Sequence, residues 1–333
     1  MASKRDQSLA GAARGSAAAP IRTNVKCRRT LTGHFGKVTA LDWSNDGSTI
    51  VSASQDGNLL LWDALTAAKK QTVRLKSAYV MSVCMEKEGR FVAAGGLDNA
   101  CSVYRVGGDQ AKLATELVSH EGYLADCKFF HSPSKMLTAS ADATSLLWDV
   151  EKGQIIESFA EHKSNLTSCA LIGDGFSYLS ASTDKTIKLW DIRTPKHSVK
   201  QLSGHQGDVN GITVLPGGNT FASCSEDGTA RVWDLRAYGE VSSFGQLMNP
   251  NELDPFADAD AGFTSIDVSS SGRLAFCGST EGVVFVYDVL GSSKDPVNVL
   301  GVSSEDQVSC VGVSPTGEAL CAGSWDNLLK IFA

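Results

Sequence analysis

The chain has 333 residues, 42% hydrophobic and 20% charged, with a formal net charge of −7. That is enough apolar material for a sizeable core, and an acidic chain without a basic stripe does not select nucleic acid as a partner. No apolar run approaches the ~18 residues of a membrane-crossing helix, so direct membrane insertion is not expected.

Residues 1 to about 25 are rich in Ala, Gly, Ser and Arg, with Pro20, and are expected to be disordered. Lys4, Arg5, Arg14 and Arg22 imitate an organelle transit peptide, but Asp6 and the weak apolar face argue against one. From Leu31 the pattern changes. LTGH leads into FGKVTALDW, SASQDG and LLLWD, ending at Asp63. Short apolar runs around Val38–Trp43, Ile50–Ser54 and Leu59–Trp62 are separated by Asn45-Asp46-Gly47 and Asp56-Gly57-Asn58, which reads as strands joined by tight turns.

The unit recurs. Aromatic residues closing it fall at Trp62, Tyr104, Trp148, Trp190, Trp233, Tyr287 and Phe332, with spacings of 42, 44, 42, 43, 54 and 45 residues. That period is the ~40–45 residues of a four-stranded propeller blade. The expected fold is therefore all-β, a seven-bladed propeller over residues 26–333. Its units run from about Leu31 to Leu65, Lys69 to Val106, Ala111 to Glu151, Gly153 to Arg193, Val199 to Leu235, Val241 to Leu290 and Val297 to Ala333. The one long spacing places an acidic loop at 248–261 in the sixth unit. The last unit ends after its third strand, and the segment Lys26–Leu31 has the length to supply the fourth and so close the ring.

Four histidines open units and precede a Ser-x-Asp and a Trp: His34, Ser54, Asp56, Trp62; His120, Ser140, Asp142, Trp148; His162, Ser182, Asp184, Trp190; His205, Ser225, Asp227, Trp233. A buried aspartate can accept from histidine and turn amides while the serine and the indole complete the chain, leaving no polar atom stranded. Four copies at one spacing describe a structural device, not a catalytic Ser/His/Asp set. Units two, six and seven are degraded, with Lys76-Ser77, Thr280-Glu281 and Gly301-Val302 at the points where the other units carry their signatures.

No P-loop, zinc-protease helix or Gly-x-Ser-x-Gly elbow is present, so no catalytic, cofactor-binding or metal-binding residues are assigned and no cofactor is expected. The nine cysteines, Cys27, Cys84, Cys101, Cys127, Cys169, Cys224, Cys277, Cys310 and Cys321, contain no Cys-x-x-Cys pair and mostly sit in strand-like runs. An odd number of buried thiols fits a reducing compartment, hence the cytoplasm.

The run RRTLTGHFGKVTALDWSNDGSTIVSASQDGNLLLWD, with YVMSV, GGLDN, HEGYL and the final GSWDNLLKIF, resembles the β subunit of heterotrimeric G proteins, a WD-repeat family, from about residue 26 to 333. The resemblance implies a non-catalytic transducer in G protein-coupled receptor signalling. Its narrow propeller face would bind the GDP-loaded α subunit and, once that subunit leaves, effectors. It would sit at the cytosolic face of the plasma membrane through its partners.

Residues just after each Gly-His and just before each turn aspartate project from that rim: Lys37, Gln55, Tyr79, Met81, Leu97, Asn99, Tyr123, Asp208, Asn210, Glu226 and Trp325. Aromatic, Met and a few charged residues make the composition of an interface centre, and a Trp at 325 is not needed by the fold.

The chain departs from the family at Thr39, which replaces an aromatic, at Tyr79, which replaces a Trp, and at Asn165 and Thr167 in the fourth unit. Leu9, Ile21, Val25 and Leu31 form no heptad, and Pro20 would interrupt one. The N-terminal helix that pairs with a γ subunit is therefore not evident. Docking of γ on the propeller alone, its absence, and an incomplete start stay open. The competing expectation is a scaffold of another cytosolic complex, such as the ribosome-associated receptor for activated C kinase, which lacks this motif combination. An enzyme would need convergent acids and bases around the channel, and none is evident.

Overall fold

The computed structural model describes residues 25–108, 110–130, 132–194, 197–245, 262–291 and 293–333. Apart from Val25, the segment expected to be disordered lies outside these residues, as does the acidic stretch 248–261. The described residues form twenty-eight strands in seven four-stranded antiparallel sheets.

After β1 (Cys27–Thr32), the first blade is β2 (Val38–Trp43), β3 (Thr49–Ser54), β4 (Asn58–Asp63) and β5 (Lys69–Arg74). The second is β6 (Val80–Met85), β7 (Phe91–Gly96), β8 (Ala100–Arg105) and β9 (Lys112–Val118). The third is β10 (Leu124–Phe129), β11 (Lys135–Ser140), β12 (Ser145–Asp149) and β13 (Gln154–Phe159). The fourth is β14 (Leu166–Leu171), β15 (Ser177–Ser182), β16 (Thr186–Asp191) and β17 (Lys200–Ser203). The fifth is β18 (Val209–Val214), β19 (Thr220–Ser225), β20 (Thr229–Asp234) and β21 (Gly239–Gly245). The sixth is β22 (Phe263–Val268), β23 (Leu274–Ser279), β24 (Val283–Asp288) and β25 (Asn298–Gly301). In the seventh, β26 (Val308–Val313), β27 (Leu320–Ser324) and β28 (Leu328–Phe332) are completed by β1.

The N-terminal strand thus closes the ring. Leu31 pairs with Leu329, and Lys26 and Ala333 exchange both backbone hydrogen bonds. Each innermost strand packs on the next, from β2 through β26 and back to β2.

The units read from the sequence and the blades are out of phase by one strand. β5, at the head of the second unit, hydrogen-bonds to β4 and belongs to the first blade. The reason is local: β4 and β5 are joined by a short turn and pair as a hairpin, whereas the step from β5 to β6 crosses to the next sheet.

Burial follows position in the blade. β3 and β4 are buried along most of their length because neighbouring blades cover both faces. Outer strands are mostly exposed and keep an apolar anchor: Leu31, Val73, Leu117, Phe159, Leu202, Phe244 or Leu300. Burying such a side chain contributes about 1.5–3 kcal/mol, enough to hold an edge strand whose remaining residues face water.

The core is a set of wedges between blades, such as Val51, Leu59, Val73, Val80, Val83 and Val92 between the first and second. Polar clips cross the same junctions. The second residue of an innermost strand donates to the carbonyl of the first residue of the next: Thr39 to Val80 at 2.6 Å, Asn210 to Phe263 at 2.8 Å, Ser309 to Val38 at 2.7 Å, and likewise Thr167 to Val209 and Thr264 to Val308. Two departures from the resembled family, Thr39 and Thr167, therefore act as clips between blades.

Candidate functional site: the narrow face

Each complete unit orders its narrow-face loop through a hydrogen-bond relay. In the first blade the Trp62 indole N–H donates to Ser52 Oγ at 2.8 Å. Ser52 lies 2.7 Å from His34 Nε2, and His34 Nδ1 lies 3.1 Å from Asp56 Oδ2. Asp56 also accepts the amides of Phe35 and Asn58 at 2.9 Å each. Since the indole can only donate, the serine passes its own proton to Nε2 and the histidine donates from Nδ1.

The same geometry joins Trp148, Thr138, His120 and Asp142; Trp190, Ser180, His162 and Asp184; and Trp233, Ser223, His205 and Asp227. Among the described residues, no cluster of three or more His, Cys, Asp or Glu could hold a metal ion.

The hydroxyl member is not the one expected from sequence. Ser54, Ser140, Ser182 and Ser225 stand outside the relay, and the residue two positions earlier occupies it. The expected serines cap the turn instead, each accepting the amide of the turn aspartate two residues on, at 3.0–3.2 Å. Ser54, Ser140 and Ser182 also donate to loop carbonyls of Gly36, Gly122 and Ser164. Residues i and i+2 of a strand share a face, so both hydroxyls point the same way. Reach decides between them, because Ser52 lies level with Leu60, nearer Trp62.

Burial lowers the basicity of His34 and His120 despite their aspartate partners, which disfavours the charged ring. Burial alone would raise the Asp56 carboxyl, but the Phe35 amide and His34 together hold it below its ordinary range, and Asp142, Asp184 and Asp227 are lowered in the same way.

The second blade has no such histidine. A cavity of about 10 Å³ lined by Ser77, Ala94, Asp98 and Ser102 lies under its loop, and Tyr79 takes a left-handed conformation with φ 63°. Such strain in a bulky residue persists only where surrounding structure enforces it.

The loops so ordered surround the mouth of a central channel, a cavity of about 430 Å³ whose lining includes Gln55, Met81, Tyr123, Asn210 and Trp325. Lys37 Nζ sits 3.5 Å from the centroid of the Trp325 ring, across the junction of the first and seventh blades. Six candidates are thus gathered at the mouth.

Tyr79, Leu97, Asn99, Asp208 and Glu226 are not part of the channel lining and stand on the surrounding rim. Tyr79 and Leu97 are neighbours, linked by the Leu97 amide to the Tyr79 carbonyl, and both are more than half exposed. Asp208 and Glu226 are joined in the same way. Asn99 donates to the Glu121 carbonyl at 3.1 Å, and Asn210 is committed to Phe263.

One exposed residue escaped the sequence reading. Phe35, directly after His34, is 90% exposed although its amide is tied to Asp56. An aromatic residue in a turn between Gly33 and Gly36 was the available signal.

A family model described as G protein beta WD-40 repeat protein matches residues 5–333. The chain is 43% identical over 139 residues to a guanine nucleotide-binding protein subunit beta of Dictyostelium discoideum, covering 41% of this chain and 40% of that one. It is 42% identical over 156 residues to the corresponding subunit of Lymnaea stagnalis, covering 46% and 45%. With subunit beta-1 of Caenorhabditis briggsae the identity is 41% over 140 residues, covering 41% of each. The matched stretches span less than half the length of these relatives. The seven blades, the repeated relay and the match of the family model across the propeller lead to one assignment: the chain belongs to the G protein beta WD-40 repeat family.

Proposed function

We propose that this chain is a non-catalytic β subunit of a heterotrimeric G protein. It binds the GDP-loaded α subunit through its narrow face and passes receptor signals to effectors that use the same face. The observation that carries the reading is the gathering of Lys37, Gln55, Met81, Tyr123, Asn210 and Trp325 around one channel mouth, with the lysine stacked on the tryptophan. Aromatic residues among polar ones are the usual composition of an interface, and a cation–π pair is worth about 0.5–1 kcal/mol while exposed and about 2 kcal/mol or more once a partner desolvates it. A shared face makes the α subunit and effectors mutually exclusive, so nucleotide exchange on the α subunit frees the β subunit without reshaping it.

No helix among the described residues is long and apolar enough to cross a membrane. On this reading, residence at the cytosolic face of the plasma membrane comes from partners, including any γ subunit. The test is binding of the chain to an α subunit loaded with GDP or with GDP plus aluminium fluoride. Binding with GDP that is lost on activation is expected. Trp325→Ala should weaken it about 30-fold, the size of an interface hot spot of about 2 kcal/mol. Equal binding in both nucleotide states, or unchanged affinity of a folded Trp325→Ala variant, overturns the reading.

A further inference from the structure

The clip that joins five of the seven blade junctions cannot form between the second and third blades, because Met81 occupies the donor position on β6. Sulfur fills this seam instead. Cys84 Sγ on β6 and Cys127 Sγ on β10 are 3.5 Å apart. Alongside them, Cys101 Sγ on β8 lies 3.5 Å from Met136 Sδ on β11. All four side chains are buried, and the three cysteines are free thiols.

We propose that Cys84 and Cys127 form an oxidative cross-linking site, at which a peroxide converts the two thiols into a disulfide tying the second blade to the third. One thiol sulfur attacks the O–O bond of hydrogen peroxide, giving a sulfenic acid and one water. The second sulfur displaces the hydroxyl group, which leaves with the remaining thiol proton as a second water. The two sulfurs lose two electrons and the two peroxide oxygens gain them, so one disulfide and two waters account for every atom.

The two sulfurs already touch. A disulfide is about 2.05 Å long, so the sulfurs must close by about 1.5 Å. Neither sulfur is exposed, but the neighbours Ser82, Val83, Asp126 and Lys128 line the central channel, so a local opening of the channel wall would bring peroxide to the pair. The Lys128 side chain is 38% exposed there. The seam rises to the rim between Asn99 and Glu121, so the cross-link would fix the two blades beneath one quadrant of the narrow face.

The experiment exposes the folded full chain to hydrogen peroxide, alkylates the remaining thiols and maps peptides without reduction by mass spectrometry. A peptide pair joined through Cys84 and Cys127 is expected. It should vanish on reduction, survive in Cys101→Ala and be missing from Cys84→Ala. Recovery of both residues as alkylated thiols or as separate sulfinic acids, under exposure that fully oxidises the exposed Cys27, overturns the proposal. So does linkage of Cys127 to Cys101. Mapping of the unaltered chain decides the matter even if Cys84→Ala does not fold.

Discussion

Ser52 and Ser54 show how two identical side chains on one strand face divide their work. Ser52 is fully buried and holds both the Trp62 indole and His34. Ser52→Ala leaves two buried nitrogens unsatisfied and should cost about 1–3 kcal/mol in denaturant unfolding. Adding Trp62→Phe removes one stranded donor, so the double variant should lose less than the two single losses combined. Strict additivity would mean the relay is not one unit.

The relay also predicts a titration. Burial makes His34 and His120 bind protons more weakly in the folded chain than at their ordinary 6.5. The unfolded chain then binds more protons below that pH, so the stabilisation is complete above 6.5 and is lost as pH falls through the depressed folded value. Asp42, Asp126 and Asp267, raised by burial, act in the opposite sense, so the check belongs at the ring itself. Magnetic resonance of the His34 ring protons should give a midpoint below 6.5. A midpoint above 6.5 would mean that pairing with Asp56 outweighs burial.

Strands β1 and β2 carry the joints on which the ring depends. β1 crosses to β28 and leaves most of its side chains in water, while Leu31 is buried in the wedge with Trp62 and Leu329. Leu31→Ala should cost about 2–5 kcal/mol and loosen closure. Amide exchange should show the largest gain at β28, whose outer edge β1 covers, and equal exchange there would argue against β1 as the closing element. The clip from Thr39 to Val80 is smaller. Thr39→Val keeps the shape, removes the donor and leaves a carbonyl with other lone-pair capacity, so about 1 kcal/mol is expected from denaturant unfolding.

The ring as a whole gathers loops from different blades around one channel mouth. The loops of the first, third, fourth and fifth blades are stiffened by the relays beneath them, so that part of the surface is ordered in advance and would lose less ordering entropy on contact. Phe35 belongs to this surface by exposure alone. Phe35→Ala should leave the unfolding midpoint unchanged, since the ring packs on little, and should weaken binding of the GDP-loaded α subunit in the same assay as Trp325→Ala. A stability loss without a binding loss would make Phe35 a packing residue instead.

Blade number, strand type, ring closure by the segment Lys26–Leu31, found as β1 one residue further on, and the aspartate–histidine–tryptophan spacing were all legible in the chain. They are periodic, and a period is a property of sequence. Reduced thiols could be expected, but not that Cys84 would meet Cys127 across a seam. Equally, Ser52 and Ser54 have the same chemistry and share a face, and no one-dimensional pattern separates them. The pairing of β5 with β4, the clips from Thr39 and Thr167 and the stacking of Lys37 on Trp325 involve partners in neighbouring strands or blades. Sequence determined what each unit is made of. Which atoms touch was decided when seven nearly equivalent units closed on one another, because those distances exist only in the ring.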